Sequence, residues 1–343
     1  MLTTDVTAKV QSFVSGNRIV IPHGTKLKAY FEGAEQFDTR GYLELKVNGC
    51  KYYIADDDYP ADVVIDPSIK GGRIKIIYYV YIGLNSNWRG IISGQLTQLK
   101  GYGILQEADL YIHITDVHQA GTEVQDIILK IVPEAILSFS YENQFEYPAL
   151  KLLHKLALQH PDCSFIYFHT KGMSHVIHSR SAEEITLFTH TFENWRRNLQ
   201  LLKQDGIKKL GLFPANGSNN EKEKPGLRGG WIWYNFWYAR GQYLAESQAP
   251  VLTDNRHYYE HWLGLHNQSE PIITGDCYNL YRLKKSDKTY FTPKEAAYHE
   301  ANLIYSTLAG NLTYEMQIHN LLRKPHRIQR WLERQPFWNR FKF

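Results

Sequence analysis

Ser164 to Gly172 reads SFIYFHTKG, an apolar, β-branched and aromatic run that stops on His169, Thr170, Lys171 and Gly172. A run of this length and composition predicts a buried strand, and a strand that ends on polar residues sets them at a sheet edge. In open α/β sheets ligands bind in the crevice outside the carboxyl ends of the strands. His169 and Lys171 are therefore expected to face a ligand, with Gly172 letting the backbone turn. A lysine there offers a compact positive charge suited to a phosphate. The plain structural alternative is a buried histidine and a solvated lysine at an ordinary strand-to-loop junction.

Other groups carry less. His175 and His178 follow in a serine-rich loop, but no third ligand lies at a zinc-like spacing, so a mobile loop is the better expectation. Aromatic residues make up 14% of the chain, with 24 Tyr, 15 Phe and 8 Trp. That bias suits the stacking of sugars or bases, and it equally suits an aromatic core. Asn216 to Gly230 is polar and glycine-rich, the composition of a loop that closes over a ligand. No Gly-x-Gly-x-x-Gly follows the first α/β strand and no Gly-x-x-x-x-Gly-Lys-Ser/Thr exists, which argues against a common dinucleotide fold and a P-loop.

The elements that must position these residues fall into two patterns. Up to about Gly72 the chain predicts short strands at Arg18–Pro22, Leu27–Phe31, Tyr42–Val47 and Lys51–Ile54, parted by turn signals of which Asn48-Gly49 is a strong hairpin dipeptide. From Ile74 strands and helices alternate. Strands are expected at Ile74–Ile82, Asp109–Thr115, Ala135–Phe139 and from Ser164, with helices at Trp88–Leu99, Val124–Lys130 and Pro148–Leu158. A long helical stretch over Thr186–Lys203 and a strand at Lys208–Phe213 follow. Alternation of this kind predicts a parallel, doubly wound Rossmann-like α/β domain. The expected division is a β-rich module over 1–72, the α/β domain over 73–305 and a basic aromatic tail over 306–343.

Net charge is +4, but it is unevenly spread: seven basic residues from Arg323 to Lys342 stand against Glu333 alone, leaving the rest slightly acidic. The body is therefore not expected to bind nucleic acid. The tail intersperses those cations with Ile328, Trp331, Leu332, Phe337, Trp338, Phe341 and Phe343, a mixture suited to an anionic membrane surface. Cys50, Cys163 and Cys277 are odd in number, widely separated and without metal-like spacing, as expected of buried thiols in a reducing cytoplasm. The N-terminus has no secretory pattern, and the longest apolar runs fall short of the roughly 20 residues that cross a bilayer. A cytoplasmic protein, peripheral on the inner face of the plasma membrane, is the expectation.

The order IIYYVYI, NWRGII, YENQFEYPAL, FHTKG, NWRR, YNFWYAR and YYEHWLG, from Ile74 to Gly264, resembles glycosyltransferases of bacterial surface-polysaccharide clusters that carry FHTKG and GNFWWA-like motifs. The resemblance implies a GT-A type nucleotide-sugar fold and transfer of a sugar from a nucleotide donor, with a UDP-sugar expected, to a glycan or lipid-linked acceptor. Tyr234 stands where the motif usually has Gly, which could narrow a sugar pocket, and Tyr238 where it usually has Trp. Most GT-A enzymes hold a divalent metal on Asp-x-Asp at a central strand end. Here His169-Thr170-Lys171 fills that place, and these are poor ligands for Mg²⁺ or Mn²⁺. No metal is therefore expected, with Lys171, helped by His169 and Arg196, supplying the charge. The alternative is a Mn²⁺ or Mg²⁺ ion on another acid such as Asp116 or Asp162. Asp56-Asp57-Asp58 resembles the acidic triplet, but it precedes the α/β region and is read as a solvated turn. The resemblance further implies Glu260 as general base, with Tyr81, Asn143, Glu146, Tyr147, Thr170 and Asn235 on the donor. Trp233, Phe236 and Trp237 would form apolar walls for the sugar, the alternative being that these aromatics are simply core.

Two other classes compete. A glycoside hydrolase needs two carboxylates facing each other across a sugar, for which Asp254 and Glu260 are the pair close in sequence. A non-enzymatic module would hold nucleic acid or glycan through the tail. Nucleotide release from a nucleotide sugar separates the first from a transferase, and a tail-dependent, salt-sensitive shift with DNA or RNA marks the second.

Overall fold

The computed structural model describes residues 7–16, 18–22, 25, 42–47, 50–55, 63–65, 74–83, 86–171, 180–215, 230–265, 276–281 and 290–310. The expected strand at Leu27–Phe31, the Asp56–Asp58 triplet, Gly172, His175, His178, the 216–229 loop and the basic tail lie outside the described residues. Before Ile74 the described segments are a short helix, Thr7–Val10, a 3₁₀ turn, Gln11–Phe13, and five strands. Val14–Ser15, Arg18–Ile21 and Val63–Ile65 form one antiparallel sheet. Tyr42–Val47 and Cys50–Ala55 form a hairpin in which Val47 opposes Cys50, the register that a two-residue Asn-Gly connection dictates.

The α/β region is built on seven strands: β1 (Ile74–Tyr81), β2 (Ala108–Thr115), β3 (Ile136–Ser140), β4 (Ser164–His169), β5 (Lys209–Gly211), β6 (Trp237–Arg240) and β7 (Cys277–Asn279). Their order is β7-β5-β6-β4-β1-β2-β3, and β6 alone runs against the others. The central strands are apolar on both faces because helices cover both. On one face Ile76, Tyr78 and Val80 of β1, Ile166 and Phe168 of β4, and Phe236 and Tyr238 share a core with α1 (Trp88–Gly101), α2 (Gly121–Ile131), α4 (Ala182–Phe192), α5 (Trp195–Leu202) and α8 (Pro293–Gly310). On the other, Ile77, Tyr79, Phe165, Tyr167 and Trp237 meet α3 (Tyr147–Gln159), α6 (Gly241–Glu246) and α7 (Arg256–His261). Alternate residues of one strand thus serve opposite layers.

Three local features set the frame. The helical stretch expected over Thr186–Lys203 is two helices, broken at Glu193 and Asn194. Asn198 Nδ2 donates to the Thr191 carbonyl at 2.9 Å and the Trp195 indole N–H to Tyr102 O at 2.9 Å, so the break satisfies a helix-end carbonyl while seating Trp195 in the core. Gly211 has no room for a side chain: a Cβ would lie 2.8 Å from Phe236 O and 2.6 Å from Ile232, so β5 can close on the aromatic segment only with glycine there. The amino ends of β5 and β7 are pinned by a buried ion pair, Lys209 Nζ to Asp276 Oδ2 at 2.9 Å. Burial opposes the Lys209 charge, yet Tyr243 and Asp276 outweigh it and keep the ammonium protonated.

Candidate functional site

From β1 the chain winds outward through β2 to β3, then returns to place β4 on the other flank of β1. The crevice between the carboxyl ends of β1 and β4 is therefore the topological switch point, where open α/β sheets bind ligands. Tyr81 and His169-Thr170-Lys171 stand at that edge. Because β6 is reversed, the residues that lead into it, Tyr234 to Phe236, arrive at the same edge. Thr170 clasps the two strand ends: its N–H donates to Tyr79 O at 3.0 Å and its Oγ1 accepts from the Tyr81 N–H at 3.1 Å. At 5% exposure Thr170 is a structural tie.

FHTKG and YNFWYAR meet at Tyr234. His169 Nε2 lies 3.1 Å from Tyr234 O; a carbonyl can only accept, so Nε2 carries the hydrogen and Nδ1 is the remaining ring acceptor of the neutral form. The Lys171 ammonium sits 3.9 Å from the centre of the Tyr234 ring and pairs with Glu183 at 3.1 Å. The Tyr234 hydroxyl donates to Glu300 Oε2 at 2.8 Å. Glu300, on α8, is pushed up from its ordinary 4.5 to about 7, chiefly by burial and then by the neighbouring Glu183 carboxylate, against the pull of Lys171. Glu300 is thus still partly protonated near neutral pH, which lessens the negative charge facing Lys171.

One residue further on, Asn235 is buried and donates through Nδ2 to Glu146 Oε2 at 2.9 Å and to Tyr259 O at 3.2 Å. The Tyr167 hydroxyl donates to the same Glu146 oxygen at 2.7 Å. Behind this cluster His113 is held neutral, pushed down to about 4 by burial, with ring nitrogens 2.9 Å and 3.1 Å from the hydroxyls of Ser138 and Ser140.

Backbone strain marks the same edge. Among the described residues, the non-glycines with left-handed backbone are Gln119 (φ 57°), Phe145 (52°), Phe213 (56°), Tyr234 (70°) and Asn235 (53°). Gln119, Phe145 and Phe213 follow β2, β3 and β5, and the other two precede the reversed β6, so all five sit in connections at the carboxyl edge. Conformations of this kind cost about 1–3 kcal/mol each and cluster at functional sites.

Not every expected residue comes here. Arg196 is exposed and bonds Glu107, the residue before β2, at 2.8 Å; that is the opposite edge of the sheet, out of reach of a ligand beside Lys171. Phe236 and Trp237 are each 1% exposed, packed on Phe168 and Tyr167, so they are core rather than walls for a sugar. Trp233 is partly exposed, with its indole N–H on Phe291 O at 3.1 Å. Tyr81 is half-buried, Asn143 exposed with Oδ1 accepting from the Phe145 N–H, and Tyr147 partly buried at the start of α3. Glu260 lies on α7 with Oε2 3.5 Å from His257; among the described residues no contact links it to the Lys171 cluster. Asp116 is buried, with Oδ1 accepting from the Ala120 N–H and Oδ2 unpartnered. No group of three metal-ligating side chains occurs among the described residues.

Sequence reasoning missed Glu183, Glu300 and Tyr167. Ser181-Ala182-Glu183-Glu184 carries a helix-start signal ahead of the expected Thr186, and Ser181 Oγ accepts from the Glu184 N–H. That Glu183 then turns to Lys171 depends on where α4 lands. A separate cavity of about 270 Å³ opens on the β5–β7 flank between α4, α5 and α8, lined by His190, Arg197, Tyr278 and Tyr281 among others. Compared with known proteins, the chain matches no family model and no curated relative.

Proposed function

We propose that the protein is a glycosyltransferase of GT-A type, moving a sugar from a nucleotide-sugar donor to a glycan or lipid-linked acceptor. The observation that carries this reading is the meeting of a cation, Lys171, and a carboxylate, Glu146, on the consecutive residues Tyr234 and Asn235 at the switch point of a mostly parallel sheet. The nucleoside would lie outside the end of β1, against Tyr81. Its diphosphate would take the place of Glu183 as partner of Lys171. Because burial and the neighbouring Glu183 keep Glu300 partly protonated near neutral pH, the cluster does not meet that anion with two full charges. As the bond between sugar and diphosphate breaks, Lys171 stabilises the charge that develops on the leaving group. His169 acts through Tyr234, fixing the turn on which Lys171 rests.

A thermal-shift screen with UDP-, GDP-, CMP- and dTDP-sugars, each with and without Mn²⁺, tests the reading, because a ligand that binds the native state raises its melting temperature. The expected result is stabilisation by one nucleotide class in the absence of metal, followed by nucleotide release when acceptor is supplied. Stabilisation by none of them, or by oligosaccharide alone with sugar hydrolysis and no nucleotide requirement, refutes it. Among the described residues no helix is long and apolar enough to cross a membrane. The basic aromatic composition beyond Arg323 supports an acceptor presented at an anionic membrane surface.

A further inference from the structure

We propose that Glu146 is the general base that takes the proton from the acceptor hydroxyl in an inverting transfer; this rests on the glycosyltransferase reading above. Glu146 occupies the N-cap position of α3, where an acidic side chain would ordinarily accept from the first free N–H groups of the helix. Its side chain makes no such bond. It is turned to the sheet edge, where Oε2 accepts from the Tyr167 hydroxyl at 2.7 Å and from Asn235 Nδ2 at 2.9 Å. The carboxylate is thereby fixed from two directions, by β4 and by the turn before β6. Oε1 makes no protein hydrogen bond among the described residues and is not among the buried oxygens that lack a partner, so it is the oxygen left to solvent.

The surroundings suit a base rather than a structural anion. Among the described residues no lysine, arginine or histidine forms an ion pair with Glu146, and such a partner would have weakened its basicity. The titratable groups facing it are phenols: Tyr79 from β1, Tyr167 from β4 and Tyr259 from α7. Burial pushes all three up, so they stay neutral and add no charge beside the carboxylate. The backbone is strained on both sides of the carboxylate, at Phe145 before it and at Asn235, which holds it. Strain of this kind persists only where surrounding contacts impose it, as the Asn235 bond to Tyr259 O does here.

In the proposed step the acceptor oxygen attacks the anomeric carbon while its proton passes to Glu146 Oε1. The bond from that carbon to the diphosphate oxygen breaks, and its electron pair leaves on the nucleoside diphosphate beside Lys171. Base and cation are held by neighbouring residues of one turn, Asn235 and Tyr234, and inversion requires the proton and the leaving group to depart on opposite sides of the sugar.

The test uses the full-length protein with the nucleotide sugar that stabilises it. Glu146→Gln, which can still accept both hydrogen bonds, is expected to keep the fold and the donor-induced shift while losing about 10²-fold to 10⁴-fold in turnover. Tyr167→Phe removes one bond to the charged carboxylate, which raises its pKa, so the acidic limb of the kcat/KM profile moves to higher pH. A merely structural role would not move that limb. Wild-type turnover in Glu146→Gln, an unmoved limb in Tyr167→Phe, retention of anomeric configuration in the product, or loss of turnover in Glu260→Gln but not in Glu146→Gln would each overturn the assignment. If no nucleotide sugar binds or turns over with the wild-type protein, the glycosyltransferase reading itself fails and the Glu146 step falls with it.

Discussion

The Lys171 ammonium rests 3.9 Å from the centre of the Tyr234 ring, so the lysine of FHTKG is held by the tyrosine that opens YNFWYAR. A cation over a ring face gains about 0.5–2 kcal/mol, depending on how far it is desolvated. The ring also limits where the ammonium can point, which leaves it directed at the crevice and at Glu183.

Lys171→Ala is expected to abolish nucleotide release while the protein stays folded. Its pair with Glu183 and its contact with Tyr234 together are worth on the order of 1–2 kcal/mol, a loss that a domain of this size survives. Turnover and thermal unfolding, measured on the same preparation, separate the two effects. A variant with wild-type turnover would remove Lys171 from the proposed site.

Tyr234→Gly is expected to leave stability within about 1 kcal/mol of wild type. Glycine relieves the left-handed backbone at φ 70°, worth roughly 1–2 kcal/mol for an L-residue, but forfeits the bond to Glu300 and the seat of Lys171. Donor affinity should fall even so, because Lys171 then loses its support. Urea unfolding and donor titration give the two numbers.

Stability should fall as pH rises from about 4.5 to about 7, because Glu300 is pushed up over that window in the folded protein. The folded state binds the extra proton there, so its advantage is complete below the unfolded value and is lost as pH passes the folded one. A tenfold difference in proton affinity between the two states corresponds to about 1.4 kcal/mol, and the whole effect is on the order of a few kcal/mol. Glu300→Gln should flatten this part of the stability curve. Chemical denaturation at pH 4.5, 6 and 7.5 checks both slope and sign; stability rising through this window in the wild type and unchanged in the variant would contradict it.

Asp276→Asn is expected to destabilise the fold by about 3–5 kcal/mol, since it leaves the buried Lys209 ammonium without its carboxylate. Replacing both residues, as Lys209→Met with Asp276→Leu, should recover much of that loss, because no uncompensated charge then remains. Comparison of the melting temperatures of single and double variants distinguishes an ion-pair effect from simple loss of packing.

How the sequence and the tertiary structure divide the work is visible in single residues. The strand ending on His169-Thr170-Lys171 was legible because apolar length and its abrupt polar end are local properties, and β4 runs Ser164–His169. Ile74–Ile82, Trp88–Leu99 and Asp109–Thr115 were legible for the same reason, each within two residues of the observed bounds. The hairpin of Tyr42–Val47 with Cys50–Ala55 was announced by an Asn-Gly dipeptide, although the second strand starts one residue before the expected Lys51. Other features depended on which elements become neighbours. Arg196 carries the charge a phosphate needs, but α5 sets it beside Glu107 at the far edge of the sheet. Phe236 and Trp237 have rings fit to stack on a sugar, yet the reversed β6 turns them into the two cores. Glu183 and Glu300 become neighbours only because α4 and α8 converge on Lys171. Nor does any local signal announce that Tyr234 adopts left-handed backbone, a conformation offset there by its contacts with His169 and Glu300. Hydrophobic period and turn chemistry act between residues close in the chain and therefore write the elements into the sequence. Charge pairing, burial and strain act between residues close in space, and only the packed sheet and its helices decide which those are.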